Sequence, residues 1–244
     1  MHARRRTRLA TLAIAAAVVL PHCSSEPPPP AASEAPPPPS TSVPAPPPPP
    51  PPPSPTPTPA GPAVHPVTAA ELGPSWRPGC PLAPERLRRV ELDHIGFDNQ
   101  PRRGALIVHE DLVDDVIAIF DELYRLGYPI EKMRTVEAYP NADDELSMRD
   151  NNTSAFNCRD IPGSGQWSWH AYGRAIDINP LLNPYIDSAG DFQPANAEVY
   201  LDRSRIDPGL LHDGDPAVAV FTDRGWTWGG NWRTPKDYQH FERP

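Results

Sequence analysis

Two short stretches near the end of the chain carry most of its chemistry: SWHAYGRAIDIN at residues 168–179 and DYQHFE at residues 237–242. They contain two imidazoles, at His170 and His240, and between them a carboxylate at Asp177. Two imidazoles and one carboxylate are a ligand set that holds a single zinc ion in hydrolytic sites. The stretches therefore predict a metal-dependent hydrolase.

The residues around these groups indicate that the two imidazoles and the carboxylate form a functional site and do not occur together by chance. Gly173 permits a tight turn directly behind the first imidazole. Residues 175–178 alternate in the manner of a short strand, which would aim Asp177 into a cleft. In Asp237-x-x-His240 the spacing is short enough for a turn or strand end to bring both groups to one metal. The imidazole would then be a ligand, and the acid would act across a water.

Each residue also has an ordinary structural interpretation. Asp177 could cap a turn, and Asp237 could pair with Lys236 or Arg233. Glu242 is interpreted as an exposed charge at a strand end. The remaining histidines of the C-terminal region that lack such neighbours are interpreted as structural or solvent-facing: His94, His109 and His212.

The two stretches resemble the zinc D-alanyl-D-alanine carboxypeptidases and related peptidoglycan peptidases of the VanY-like kind. In that family the ligands come from a Ser-x-His-x6-Asp motif and a late His, with the catalytic carboxylate three residues before that His. The resemblance implies that His170, Asp177 and His240 bind one Zn²⁺ per domain and that Asp237 is the general base. It also implies that Ser168 lines the substrate cleft.

The resemblance extends from about Gly73 to the C-terminus. The chain differs from the family pattern at the position of the general base. Family members often carry Glu at the position where this chain has the shorter acid Asp237. The implied fold is an α+β domain of the hedgehog and D-Ala-D-Ala peptidase type, with a small antiparallel sheet that is flanked by helices and carries the zinc. Arg159, upstream of the site, could bind a substrate carboxylate through its two-pronged guanidinium, or could be a surface residue.

Hydrophobic patterning predicts the elements of this α+β domain. Apolar residues recur at helical spacing over 111–126, and Gly127 would end that helix. A second helix is predicted from Asp215-Pro216 through residue 221. The segments that favour strands are 104–109, 133–139, 226–228 and 238–242, the last two joined by Gly229-Gly230.

The N-terminal third predicts export. Residues 1–23 combine a basic start with an apolar core that is shorter than the about 20 residues of a membrane span. Cys23 stands where a lipoprotein would be lipidated, but His22 is a poor fit to that motif, so lipidation, ordinary cleavage and a retained anchor all stay open. Residues 24–66 are dominated by Pro and predict a disordered linker, which leaves 67–244 as the catalytic domain. The expected location is extracytoplasmic, in the cell envelope.

The three cysteines are at positions 23, 80 and 158. If Cys23 is processed or lipidated, Cys80 and Cys158 remain, and an oxidising exterior favours a disulfide between them. The competing hypothesis is that Cys158 is a nucleophile with a His partner.

Charge limits the partners. The formal net charge is −9, and loss of the four signal arginines leaves 18 basic against 31 acidic residues, or about −13. A chain this acidic lacks the electrostatic surface for nucleic acid, and membrane contact is expected only through the signal or a lipid at Cys23. We expect a monomer whose partners are peptidoglycan stem peptides.

Two function classes remain. The first is a zinc peptidase on stem peptides, either a D,D-carboxypeptidase or an L-Ala-D-Glu endopeptidase. The second is a module that retains zinc and binds a wall peptide or protein without cutting it. Serine peptidases of the penicillin-binding kind are excluded, because neither Lys132 nor Lys236 has a Ser three residues before it and these are the only lysines.

Overall fold

The fold is that of a computed structural model, in which residues 60–161 and 163–244 are described. The predicted export signal at 1–23, with the lipidation candidate Cys23, and the predicted linker up to residue 59 lie outside the described residues. No helix of the described part is both long enough and apolar enough to cross a membrane.

An antiparallel sheet of three strands begins the domain. Its order is β1 (Ala63–Pro66), β2 (Leu87–Ile95) and β3 (Pro101–His109). Strand β1 pairs with residues 88–91 of β2, although its residues fall within the predicted linker. A Pro-containing segment can add an edge strand in this way when a partner strand is available.

Helix α2 (Val113–Leu126) packs on this sheet, and the helix predicted over 111–126 is confirmed. Its buried residues recur every three or four positions, at Val116, Ile119, Phe120 and Leu123. Each such side chain contributes about 1.5–3 kcal/mol by burial, so packing against the sheet holds the helix in place. The helix ends at Gly127, whose φ of 67° is left-handed. Residues 110–112 form a preceding turn of 3₁₀ helix.

The strand predicted over 133–139 is wrong. Only β4 (Lys132–Met133) is extended, in parallel with β5 (Asn152–Thr153), and residues 136–138 form a 3₁₀ helix. The side chain of Asn152 accepts from the Arg134 N–H at 2.9 Å and donates to the Arg134 carbonyl at 2.9 Å. A side-chain amide thus replaces the next backbone partner, and the ladder stops there.

A second three-stranded sheet, in the order β6 (Ala175–Asp177), β11 (His240–Glu242) and β9 (Thr227–Trp228), carries two of the candidate ligands. The strands predicted over 226–228 and 238–242 are present in shortened form. Phe241 of the central strand stacks on Phe221 with ring centroids 3.9 Å apart. Phe221 belongs to α4 (Pro216–Thr222), which confirms the second predicted helix. The helix packs against this sheet through the contact between Phe221 and Phe241.

A third small sheet has the order β10 (Lys236–Asp237), β7 (Tyr185–Ile186) and β8 (Phe192–Gln193). The remaining α-helices of the described residues are α1 (Ala69–Leu72) and α3 (Asp144–Arg149). The other 3₁₀ helices are Gly73–Ser75, Pro84–Arg86, Pro140–Ala142, Trp169–Tyr172, Glu198–Leu201 and Gly229–Asn231. The predicted α+β class is confirmed, with the strands divided among several small sheets.

Cys80 and Cys158 form a disulfide, as predicted, with their Cα atoms 6.0 Å apart. The bond adjoins a small second core that includes Leu72, Leu87 and Phe156. Because the Cys158 sulfur is in this bond, the hypothesis of a nucleophilic thiol is wrong for this structure.

Candidate metal centre

His170 lies on a 3₁₀ helix that two neighbours hold in place. The hydroxyl oxygen of Ser168 accepts a hydrogen bond from the His170 N–H at 3.3 Å and so caps the start of the helix. Gly173 ends the helix with a left-handed φ of 63°. A Cβ at this glycine would also lie 2.7 Å from the backbone nitrogen of His109. The tight turn predicted behind the first imidazole therefore requires glycine for two reasons, conformation and space.

Asp177 and His240 face each other across two antiparallel strands. They are direct partners in the register of β6 and β11, a pairing that places their side chains side by side on one face of the sheet. An Asp177 oxygen lies 3.0 Å from His240 Nδ1, and its other oxygen lies 3.1 Å from His170 Nε2. The strand predicted to aim Asp177 inward does so.

The three side chains form a converging donor set. One ligand atom from each of His170, Asp177 and His240 lies within 4.8 Å of the others, and all three residues are at least 94% buried. The outer nitrogen of each imidazole has its own acceptor: His170 Nδ1 is 2.5 Å from the carbonyl oxygen of Ala155, and His240 Nε2 is 3.1 Å from a carboxylate oxygen of Glu242. The other ring nitrogens, His170 Nε2 and His240 Nδ1, therefore face the Asp177 carboxylate and the space between the three side chains. Two imidazoles and a carboxylate with fixed outer partners fit Zn²⁺.

The electrostatics of the cluster keep Asp177 ionised. Burial alone would raise the pKa of its carboxyl, but interactions with His170 and His240 outweigh burial and hold that pKa far below its ordinary value. Burial likewise opposes the charge on His240, yet its hydrogen bonds with Asp177 and Glu242 raise the pKa of the imidazole to about 10. The imidazole of His240 is therefore protonated at neutral pH in the metal-free protein, and a metal that binds there must displace this proton.

The pKa of Asp237 is shifted in the opposite direction to that of Asp177. Burial, reinforced by the charge of Asp177, raises its pKa to about 6 despite the opposing influence of the histidines and Arg159. Its Oδ1 is buried and accepts no hydrogen bond from the residues that the structure describes. In the alternative interpretation Asp237 pairs with Lys236 or Arg233, but Lys236 Nζ instead donates to the Gly230 carbonyl at 2.9 Å. A carboxylate with one unengaged oxygen is suited to proton transfer.

Gly229 makes room for this carboxylate. A Cβ at Gly229 would lie 2.8 Å from the Asp237 Cβ and 2.6 Å from its carbonyl oxygen. The Gly-Gly pair was predicted to join the last two strands, and its first glycine also permits the backbone of residue 237 to approach closely.

Arg159 lies near the cluster but holds an ion pair of its own. Its Nη2 is 3.0 Å from a carboxylate oxygen of Asp144, and its side chain is 30% exposed. Burial would lower its pKa, but the charges of Asp144, Asp177 and Asp237 raise it. The guanidinium is therefore within electrostatic range of the site. Binding of substrate by Arg159 stays a prediction, as does lining of the cleft by Ser168, whose observed contact is the helix cap.

The interpretation of Glu242 as an exposed charge is wrong. Its side chain is only 17% exposed, and it contacts His240. The signal that could have found it is the i, i+2 spacing of His240 and Glu242 in a strand, which puts both side chains on one face.

The other histidines lie outside this group. His109 Nδ1 accepts from the Asp111 N–H at 3.2 Å, and His212 Nδ1 lies 3.2 Å from an Asp215 oxygen. His94 is buried, which lowers its pKa. These placements agree with the structural interpretation of all three.

Comparison with known proteins bears on the same segment. No curated protein and no solved structure matched the chain. Residues 162–243 match the model of a family described as D-alanyl-D-alanine carboxypeptidase. All four groups predicted for metal binding and catalysis lie within this segment, whereas Arg159 lies just before it. The match supports a peptidase, and it supports the resemblance of this segment to the D-alanyl-D-alanine carboxypeptidases.

Proposed function

We propose that the domain is a zinc-dependent peptidase that hydrolyses peptidoglycan stem peptides, as a D,D-carboxypeptidase or an L-Ala-D-Glu endopeptidase. The observation that carries the proposal is the convergence of His170, Asp177 and His240 on one point, together with a nearby carboxylate of different character at Asp237. A structural zinc site is closed by four protein ligands, whereas a set of three leaves a coordination position for water, as in catalytic sites.

His170 Nε2, one Asp177 oxygen and His240 Nδ1 would hold the metal. Zinc bound there supplies Lewis acidity, which lowers the pKa of a water to about 7 and polarises the scissile carbonyl. The chain supplies the proton transfers. With a pKa of about 6, Asp237 is largely ionised at neutral pH, so it can accept the proton of the attacking water at a carboxylate oxygen. It then donates that proton to the nitrogen of the leaving amine.

Arg159 is the proposed contact for a substrate carboxylate. Its guanidinium is anchored at one end by Asp144, and its Nε is buried with no acceptor among the described residues. Stem peptides contain both terminal and side-chain carboxylates, and a guanidinium recognises either through paired N–H donors.

The N-terminal region supports the same substrate. An exported chain with a Pro-rich spacer of about 40 residues could extend on the order of 120 Å at about 3.1 Å per residue. That length would place the catalytic domain within a cell wall. Export and a monomeric state are part of this proposal, with lipidation of Cys23, ordinary cleavage and a retained anchor as the alternatives at the N-terminus.

The test is direct. The full chain, loaded with one equivalent of zinc, is incubated with purified muropeptides, and the products are identified by mass. Release of D-Ala indicates the carboxypeptidase, and cleavage between L-Ala and D-Glu indicates the endopeptidase. The His240→Ala variant serves as the metal-deficient control. Binding of the muropeptides without any product in the zinc-loaded parent would refute the enzyme and leave the non-catalytic binding module.

A further inference from the structure

Glu242 holds a position that the proposed mechanism does not use. We propose that Glu242 is a positioning residue that fixes the ring of His240 so that Nδ1, and not Nε2, is presented to the metal. This inference rests on the proposed function, because it assigns a second role within the same metal site.

The backbone leaves Glu242 little freedom. It lies in β11, the central strand of its sheet, where its direct partners are Ala175 on one side and Thr227 on the other. His240 precedes it by two residues, so both side chains project from the same face. The contact between His240 Nε2 and the Glu242 oxygen, at 3.1 Å, is thus a consequence of strand geometry.

The chemistry of imidazole explains why such a partner matters. A neutral imidazole has one N–H donor and one acceptor nitrogen, and a fixed acceptor at one nitrogen assigns the proton to it. An ionised carboxylate at Nε2 therefore leaves the Nδ1 lone pair free for a metal. It also makes that nitrogen a stronger ligand than a neutral acceptor would.

The two histidines differ in how they are held. His170 has a backbone carbonyl, that of Ala155, as its outer partner, which no side-chain substitution can remove. His240 has a carboxylate side chain. Removal of Glu242 would leave His240 free to change tautomer or to rotate its ring, whereas His170 would be unaffected. This asymmetry provides an internal control.

The experiment measures zinc affinity and the imidazole proton, both independently of turnover. Zinc dissociation constants are determined by chelator competition for the full-length parent, Glu242→Ala and Glu242→Gln. We expect Kd to rise about 10–100-fold for the Ala variant. We expect a smaller rise for Gln, because its amide oxygen still accepts the Nε2–H but carries no charge. Glu198→Ala, at an exposed position of a 3₁₀ helix, is the matched control and should leave Kd unchanged.

Nitrogen-15 NMR of the zinc-loaded proteins supplies the second measurement. In the parent, the Nε2 proton of His240 should exchange slowly with water because Glu242 accepts it. In Glu242→Ala it should exchange rapidly, while the Nδ1 proton of His170 stays protected. If the Ala variant does not fold, the Gln variant carries the test. Zinc affinity within about twofold of the parent in every folded Glu242 variant, with an unchanged His240 proton, would overturn the inference but not the proposed function. A parent that binds no zinc would overturn both.

Discussion

Substitution of Asp237 by Asn should make the metal-free protein more stable while it removes activity. The reason is the pKa of Asp237, which burial raises to about 6 in the folded protein. In the unfolded chain the same carboxyl has its ordinary pKa of about 4. The folded state therefore binds the proton more tightly, and stability is lost as pH rises between these two values.

The magnitude follows from that difference. About two pKa units, at about 1.4 kcal/mol each, amount to roughly 3 kcal/mol of folding free energy that the ionised Asp237 costs at pH 7. Asn has nearly the same shape as Asp and carries no charge, so it avoids this cost. Part of the gain is offset because its amide group is also buried. We expect an increase on the order of 2 kcal/mol at pH 7 that disappears by about pH 4.

The assay is urea unfolding of chelator-treated protein at pH 4, 5, 6 and 7, for the parent and Asp237→Asn. Asp213→Asn, at an exposed position, is the control and should change nothing. In the zinc-loaded state the Asn variant should retain metal yet lose about 10²-fold or more in muropeptide turnover, because a positioned proton acceptor is gone. Lower stability of the Asn variant at pH 7 would refute the electrostatic reasoning, and turnover equal to that of the parent would show that Asp237 is not the base.

Three further predictions concern the metal and the covalent framework. Replacement of His170, Asp177 or His240 by Ala should abolish stoichiometric zinc, because three protein ligands are the minimum for a catalytic site; metal analysis showing one zinc in His240→Ala would contradict the ligand assignment. Zinc affinity should weaken about tenfold for each unit of pH decrease between pH 8 and 6, because a proton occupies His240 in the metal-free protein; a pH-independent Kd would contradict the raised pKa of this imidazole. Cys158→Ser should lower the melting temperature, since the bond closes a loop between residues 78 positions apart, worth about 4 kcal/mol in the chain-entropy model, while activity per folded molecule stays unchanged. An inactive Cys158→Ser protein of full stability would point instead to thiol chemistry.

Local chemistry made the candidate site predictable. The identity and spacing of His170, Asp177, Asp237 and His240 are properties of short segments, and the ligand preferences of zinc need no tertiary information. The helix at 113–126 was also predictable, because its buried face follows from one local period. The disulfide followed from a count of cysteines once Cys23 was set aside.

Long-range pairing decided the rest. Residues 63–66 form a strand only because β2 offers an edge, and the strand predicted at 133–139 ends early because Asn152 takes over the backbone partners of Arg134. The sequence alone identified Asp237 and Glu242 as acidic residues near the site, but it could not show which of the two is buried or which contacts a ligand. The Oδ1 of one carboxyl is buried and has no hydrogen-bond partner among the residues that the structure describes, and the other carboxyl contacts His240. Burial and contact across strands depend on which distant segments meet, so only the tertiary structure separates a group suited to proton transfer from one suited to hold a ligand.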